Sequence, residues 1–186
     1  HVISVEDTPN DNGYFVDIQF TRSKYDGSQN GAEIYTVYRA LEDGQWQATN
    51  SLDADGSSVN LVLGTTFEVG SPTNFKITAT MNEGTFESAA FNGTSMDNIA
   101  PATPSSRVFV VNGEQISLSW DPNQETDLAY YSIFGGVDQS SLNLITHTIE
   151  TSIQLDFDAS SIYGITATDH HGNESGMGIF SETVNI

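Results

Sequence analysis

The side chains best suited to chemistry in this sequence are oxygen donors. Asp7, Asn10, Asp11 and Asn12 crowd one short stretch, and Asp97 and Asn98 stand just before Pro101. Hard cations such as calcium take about six to eight oxygens from carboxylates, amides and carbonyls. Asp7, Asn10 and Asp11 are therefore candidate calcium ligands, with Asp26 expected to come near them. Asp97 and Asn98 are candidates for an ion that stiffens a joint. The competing use of such residues is the ordinary turn, in which Asn and Asp hydrogen-bond their own backbone. Asp53-Ala54-Asp55-Gly56 looks like part of a calcium loop but fails its test. With Gly56 in the glycine position, Val62 falls where a bidentate Glu is required, so this stretch reads as a turn.

A second group lies in the other half: Asp121, Glu125 and Asp127 in one loop, and Asp169, His170, His171 and Glu174 in another. Asp121, Asp127, Asp169 and Glu174 are the candidate ligand-binding residues there, because loops on a rigid scaffold commonly carry function. No catalytic residues emerge. The many acids show no pairing across a cleft of the kind glycoside hydrolysis needs, His147 has no marked Ser and acid partners, and phosphate-loop and zinc motifs are missing. Tyr14, Tyr25, Trp46 and Tyr130 would suit sugar stacking if they formed an exposed row.

Composition narrows the partners. Asp and Glu number 25 against 5 Lys and Arg, giving a net charge of −20. Such a surface repels phosphate backbones and anionic membranes, so nucleic acid is not expected as a partner. It suits divalent cations or plain solubility. With Cys 0, disulfides, thiol nucleophiles and cysteine zinc sites are excluded. No apolar run approaches the roughly 20 residues that cross a bilayer as a helix. The sequence begins at His1 rather than Met, as expected of a piece processed or cut from a longer chain.

The elements that must position these groups are strands. Val16, Ile18 and Phe20 alternate, as do Tyr35 with Val37, Phe75 with Ile77 and Ala79, and Ile116 with Leu118 and Trp120. Period two marks strands with one buried side. Expected strands are 1–4, 14–20, 34–39, 59–63, 75–80 and 86–91, then 107–111, 116–120, 131–134, 142–145, 151–155, 163–168 and 179–184. Trp46 is expected on the partner strand of a hairpin, and 5–13, 21–31 and 50–58 read as loops. No stretch has a helical period. Phe75-Lys76-Ile77-Thr78-Ala79-Thr80 is echoed by Tyr163-Gly164-Ile165-Thr166-Ala167-Thr168 across the joint Ser95–Pro104. An all-β chain of two tandem sandwiches, residues 1–97 and 98–186, follows.

The residues Ile116–Trp120 with Asp121-Pro122-Asn123, then Asp127-Leu128 and Tyr131-Ser132-Ile133-Phe134, resemble the B strand, B–C loop and C strand of a fibronectin type III domain. Ile165–Asp169 with Gly172-Asn173-Glu174-Ser175 is similar to its F strand and F–G loop as written in bacterial secreted proteins. In the first copy Phe20 takes the Trp position. The family's corner tyrosine is replaced by Thr73 and Ser161, so the corner must be held differently. The resemblance implies immunoglobulin-like sandwiches joined by a Pro-containing linker. It implies an extracellular or cell-surface setting and a spacer or binding role rather than catalysis. Expected partners are other domains of a longer chain, further copies paired through strand edges, or a carbohydrate or cell-surface protein.

Overall fold

The computed structural model describes residues 1–27, 33–156, 158 and 161–180. The chain divides into unit 1, His1–Asn98, and unit 2, Ile99–Ile186, one residue past the expected boundary. Among the described residues there is no helix, hence none long and apolar enough to cross a membrane.

Unit 1 contains β1 (Val2–Asp7), β2 (Phe15–Thr21), β3 (Ile34–Ala40), β4 (Trp46–Asp53), β5 (Val59–Thr65), β6 (Thr73–Met81), β7 (Gly84–Glu87) and β8 (Phe91–Gly93). One sheet runs β1-β2-β5. The other runs β4-β3-β6-β7, with β8 also on β6. Unit 2 contains β9 (Val108–Asn112), β10 (Gln115–Ser119), β11 (Leu128–Gly136), β12 (Asn143–Thr148), β13 (Ser152–Asp156), β14 (Ile162–Asp169) and β15 (Gly178–Ile179). Its sheets run β13-β10-β9 and β12-β11-β14-β15. Replacing β1 by β9 and continuing in order maps β1–β7 onto β9–β15, with β8 the one strand left without a counterpart among the described residues, so the repeat seen in the sequence is a repeat of topology.

The alternating residues face inward as period two requires. Val16, Ile18, Phe20, Tyr35, Val37, Phe75 and Ile77 form the core of unit 1; Ile116, Leu118, Trp120, Tyr131, Ile133 and Ile165 form that of unit 2. The correspondence extends to a polar detail. Phe20 meets Tyr35 edge-on at 4.9 Å, and Trp120 meets Tyr131 edge-on at 5.2 Å. The Tyr35 hydroxyl accepts the Ser23 N–H at 2.8 Å, and the Tyr131 hydroxyl accepts the Asn123 N–H at 2.9 Å. In each unit the same tyrosine closes the loop that follows the second strand.

Three expected boundaries are corrected. β1 continues to Asp7, paired with Val16, because Val5 packs on the core; the loop there is shorter than residues 5–13. β4 continues to Asp53, paired with Ile34, through residues whose polarity reads as loop because they are mostly exposed. The closing strand 86–91 is broken in two at Ser88, whose hydroxyl accepts the Ile77 N–H at 3.0 Å and donates to the Ala89 carbonyl at 2.8 Å. A side chain replaces one rung of the ladder. Of the expected last strand, 179–184, residues 181–184 lie outside the described residues.

The two corners are held differently from each other, and in unit 2 a tyrosine two residues beyond Ser161 takes part: the Tyr163 hydroxyl accepts a hydrogen bond from the Asp158 backbone. Thr73 is buried and its Oγ1 accepts the Phe67 N–H at 3.3 Å. Ser161 donates through Oγ to Asp158 Oδ2 at 3.0 Å.

Candidate functional site

Four of the five proposed metal ligands meet at one end of unit 1, where the loop 8–14 faces the last residues of the unit. Asp7, the final residue of β1, accepts the Met96 N–H on Oδ1 at 2.7 Å and the Asn98 Nδ2–H on Oδ2 at 2.9 Å. Asn98 returns the contact: its Oδ1 accepts the Asp11 N–H at 3.1 Å, and its own N–H donates to the Asp11 carbonyl at 3.1 Å. Asn12 and Asp97 form a bridge beside them. Asn10 sits in the left-handed region at φ 59 and is exposed; no hydrogen bond ties it to the others.

Asp11 has two oxygens in different situations. Oδ1 accepts the N–H of Gly13, whose φ of 82 suits glycine, at 2.9 Å. Oδ2 is buried with no hydrogen-bond partner. Burial pushes the carboxyl above its ordinary pKa, the Gly13 N–H opposes this, and the charges of Asp7, Asp97 and Asp17 add to the rise. A part-buried carboxylate with one enclosed oxygen among like charges is the arrangement that favours protonation or a cation.

Beneath this layer lies Ser95, which sequence reading passed over. It is fully buried at 0% exposure. Its Oγ accepts the Tyr14 N–H at 3.0 Å and shares a 2.6 Å hydrogen bond with Thr66 Oγ1, while its carbonyl accepts the Gly70 N–H at 2.7 Å. Tyr14 has φ 73, a conformation costly for a bulky residue. The pattern at 95–98 is therefore a clasp. Nothing in a serine before a proline-containing joint signals it; only the pairing of distant loops does.

Unit 2 fastens its own first residues in the same manner. The Ala102 N–H donates to Glu125 Oε1 at 2.7 Å, and Asn123 Nδ2 donates to the Ala102 carbonyl at 2.8 Å and to Glu125 Oε2 at 3.1 Å. The Ala102 N–H holds the Glu125 carboxyl below its ordinary pKa, against the effect of burial. Thr103 Oγ1 donates to the Gly176 carbonyl at 3.1 Å.

The proposed ligand residues of unit 2 divide. Burial alone would raise the Asp169 pKa. Burial is the largest single influence, but the Asn173 side chain and the N–H groups of Asn173, His171 and Gly172 together outweigh it and hold the carboxyl below its ordinary value. Asp169 accepts the His171 N–H at 2.8 Å, the Asn173 N–H at 2.9 Å and Asn173 Nδ2 at 2.9 Å, so it caps its own turn. Asp127 offers its carbonyl to the His170 N–H at 2.9 Å, which joins the two loops as the resemblance implies. Asp121 is exposed beside them and its N–H donates to the Ser105 carbonyl at 3.1 Å. Glu174 belongs elsewhere: its Oε1 accepts Thr166 Oγ1 at 2.6 Å. It borders a recess of about 280 Å³ on the outer face of the β12-β11-β14 sheet, together with Tyr130, Ser132, Phe134 and His147. There His147 Nδ1 lies 3.0 Å from Ser132 Oγ, and its ring meets Tyr130 edge-on at 4.7 Å.

The expectation that Asp26 approaches the Asp7–Asn12 loop is corrected. The loops at the two ends of β2 lie at opposite ends of the sandwich, and Asp26 is buried at the other one. Its Oδ2 accepts the Tyr35 hydroxyl at 2.8 Å and its Oδ1 the Gly56 N–H at 2.8 Å. Asp55 accepts the Ser57 N–H at 2.9 Å, the turn read from sequence. Tyr14 and Tyr25 lie in the loops before and after β2, and Trp46 opens β4. Tyr25 stacks on Phe86 at 4.9 Å and Trp46 lies under Lys76 Nζ at 5.0 Å, so these three form no row.

No protein-family model matches the chain, and no curated protein is similar to it in sequence. Solved structures do match. The chain is 14% identical to a segment of two fibronectin type III domains from chicken tenascin, covering 98% of this chain and 99% of that one with a TM-score of 0.52. The FN1–FN3 domains of chicken CNTN1 match at 14% identity over 98% of this chain and 66% of theirs, with a TM-score of 0.40. The chain thus spans just under two thirds of that second structure. Topology and likeness agree: the fold is that of two tandem fibronectin type III domains.

Proposed function

We propose that this chain is a non-catalytic, extracellular spacer within a longer protein, holding its neighbours apart through a joint fastened on both sides. The observation that carries this is the pair of clasps. Residues up to Asn98 are tied into unit 1 by Asp7, Asp11 and Ser95, and residues from Ala102 are tied into unit 2 by Glu125 and Asn123. Only Ile99, Ala100 and Pro101 stand between the fastened stretches, and Pro101 fixes its own φ. Backbone ¹⁵N relaxation of the whole chain tests it. Order parameters near the rigid value of about 0.85 at 95–98 and 102–104 are expected, whereas values below about 0.6 mean a flexible tether and overturn the spacer.

Calcium enters as a finer form of this proposal. The unpartnered Asp11 Oδ2 among the charges of Asp7, Asp17 and Asp97 favours it. Against it, no three carboxylates among the described residues of unit 1 bring an oxygen each within 4.8 Å of one another. Both Asp7 oxygens already accept hydrogen bonds, from Met96 and Asn98, so an ion there would share that carboxylate with them. Thermal unfolding with millimolar calcium and then with chelator decides. Saturating calcium at about a thousandfold excess over its dissociation constant raises stability by about 4 kcal/mol, and an unchanged midpoint leaves the clasp as hydrogen bonds alone.

The recess bordered by Tyr130, His147 and Glu174 favours a second reading, a binding module for a carbohydrate. Ring faces for stacking and a carboxylate to accept hydroxyls are its requirements. At about 280 Å³ the recess would take a single sugar ring. Glycan-array binding abolished by Tyr130→Ala supports this reading, and a blank array removes it.

A further inference from the structure

The outward face of the β1-β2-β5 sheet in unit 1 departs from what a sandwich surface ordinarily shows. Directly paired residues on adjacent strands share a face, so the register defines its rows. One row is Glu6, Asp17 and Leu63; the next is Ser4, Gln19 and Leu61; Thr21 and Val59 follow, and Phe15 with Thr65 flanks the first. Leu61 is 59% exposed, Val59 44%, Leu63 41% and Phe15 40%. A contiguous apolar stripe on a soluble surface marks an interaction site.

Unit 2 supplies an internal control. Matching the core pairs Ile18–Val62 and Leu118–Ile153 places Ser152, Gln154, Gln115 and Ser117 where unit 1 has Leu61, Leu63, Phe15 and Asp17. The same fold needs no apolar residue at those positions. Their presence in unit 1 is not a demand of packing.

The charges on this face identify the occupant. Glu6 and Asp17 are directly opposite each other, and like charges so placed repel. The cations of unit 1 are engaged elsewhere. Arg22 donates to the Gly56 carbonyl, Arg39 lies over Phe67, Lys24 lies over Tyr25, and Lys76 pairs with Glu87 in the one salt bridge among the described residues. A second copy of the same face would bring four carboxylates together. Pairing along the β5 edge is obstructed as well, since Asn50 Nδ2 already donates to the Leu63 carbonyl at 3.3 Å.

We infer that this face docks a cationic polypeptide segment in which lysine or arginine alternates with apolar residues. Its cations answer Glu6 and Asp17 while its apolar side chains cover Leu61, Leu63 and Phe15. The surface lies wholly within unit 1 and does not depend on the spacer reading.

The test titrates ¹⁵N-labelled full chain with a capped peptide of alternating lysine and valine, and with a glutamate–valine peptide as control. Amide shifts confined to β1, β2 and β5 are expected, with affinity falling about tenfold in the Leu61→Ser/Leu63→Gln variant, which carries the unit 2 residues, and again in Asp17→Ser. Shifts spread evenly over both units, or affinity unchanged in both variants, reduce the effect to general attraction to an acidic surface and overturn the docking face. Sedimentation of the chain without peptide is the remaining arm. Self-association abolished by Leu61→Ser/Leu63→Gln would assign the face to a second copy and refute the cationic occupant.

Discussion

Replacing Ser95 by alanine removes one oxygen from the joint, yet the structure makes it a costly change. The hydroxyl is fully buried, accepts the Tyr14 N–H at 3.0 Å and bonds Thr66 Oγ1 at 2.6 Å. Alanine fills almost the same space, so no significant cavity term arises. Two polar groups lose their partner instead. The buried Thr66 hydroxyl costs about 1–3 kcal/mol and the part-buried Tyr14 N–H about 1 kcal/mol, the low end of the same range, so the loss is about 2–4 kcal/mol. The upper part of that range is reached if Tyr14, held at φ 73, depends on this bond to stay there. A domain stable by about 5–15 kcal/mol survives the change, with its midpoint lowered by roughly 10–25 °C. The chain has Trp 2, Trp46 in unit 1 and Trp120 in unit 2, so fluorescence during denaturant unfolding follows each unit separately. The Trp46 transition should shift and the Trp120 transition should not. Thr66→Val combined with Ser95→Ala should cost less than the two single losses added, because the hydroxyl pair then vanishes together. A loss below about 0.5 kcal/mol in Ser95→Ala, the range of an ordinary surface change, would refute the clasp as a buried hydrogen-bonded structure.

Asp11→Asn should stabilise unit 1 at neutral pH in the absence of metal. The folded pKa lies above the ordinary 3.8, so the folded state favours the protonated form. The stability from that proton is complete below the unfolded pKa and is lost as pH rises through the folded one. Unfolding midpoints from pH 3 to 7 should therefore fall less steeply in the variant, and an identical slope contradicts the account. Tyr35→Phe should cost about 2–4 kcal/mol, because it strips a donor from buried Asp26 and an acceptor from the Ser23 N–H. Tyr131→Phe, which orphans only the Asn123 N–H, should cost about half as much, and equal losses by denaturant unfolding contradict the difference. Burial and the Asp26 carboxylate push the Tyr35 pKa up to about 12. Unit 1 should accordingly weaken between about pH 10 and 12, with one tyrosine ionising last in an ultraviolet titration.

How much of this was legible in the sequence depends on which physical signal each feature leaves. Core strands announce themselves because burying one side imposes period two, and Val16-Asp17-Ile18-Gln19-Phe20 leaves no choice of face. The duplication was legible because Ile77–Thr80 and Ile165–Thr168 share a pattern, and the Tyr35 and Tyr131 hydroxyls then perform one task. The clasp was half legible. Asp7, Asp11, Asp97 and Asn98 stood out as oxygen donors, but the role of the Asp7 and Asn98 side chains as hydrogen-bond acceptors for main chain some 90 residues away depends on a pairing of loops that no local rule encodes; the Asp7–Met96 contact spans |i−j| = 89. Ser95 left no signal at all. β5 shows the limit most sharply. In Val59-Asn60-Leu61-Val62-Leu63 four residues of five are apolar, so alternation alone suggests that Leu61 belongs inside with its neighbours. The register with β2 decides otherwise. Ile18 faces Val62, which commits Asn60 to the interior, where it is 5% exposed, and turns Leu61 and Leu63 to the surface. A strand whose apolar content exceeds what its core face can bury carries a surplus, and that surplus must face either solvent or a partner.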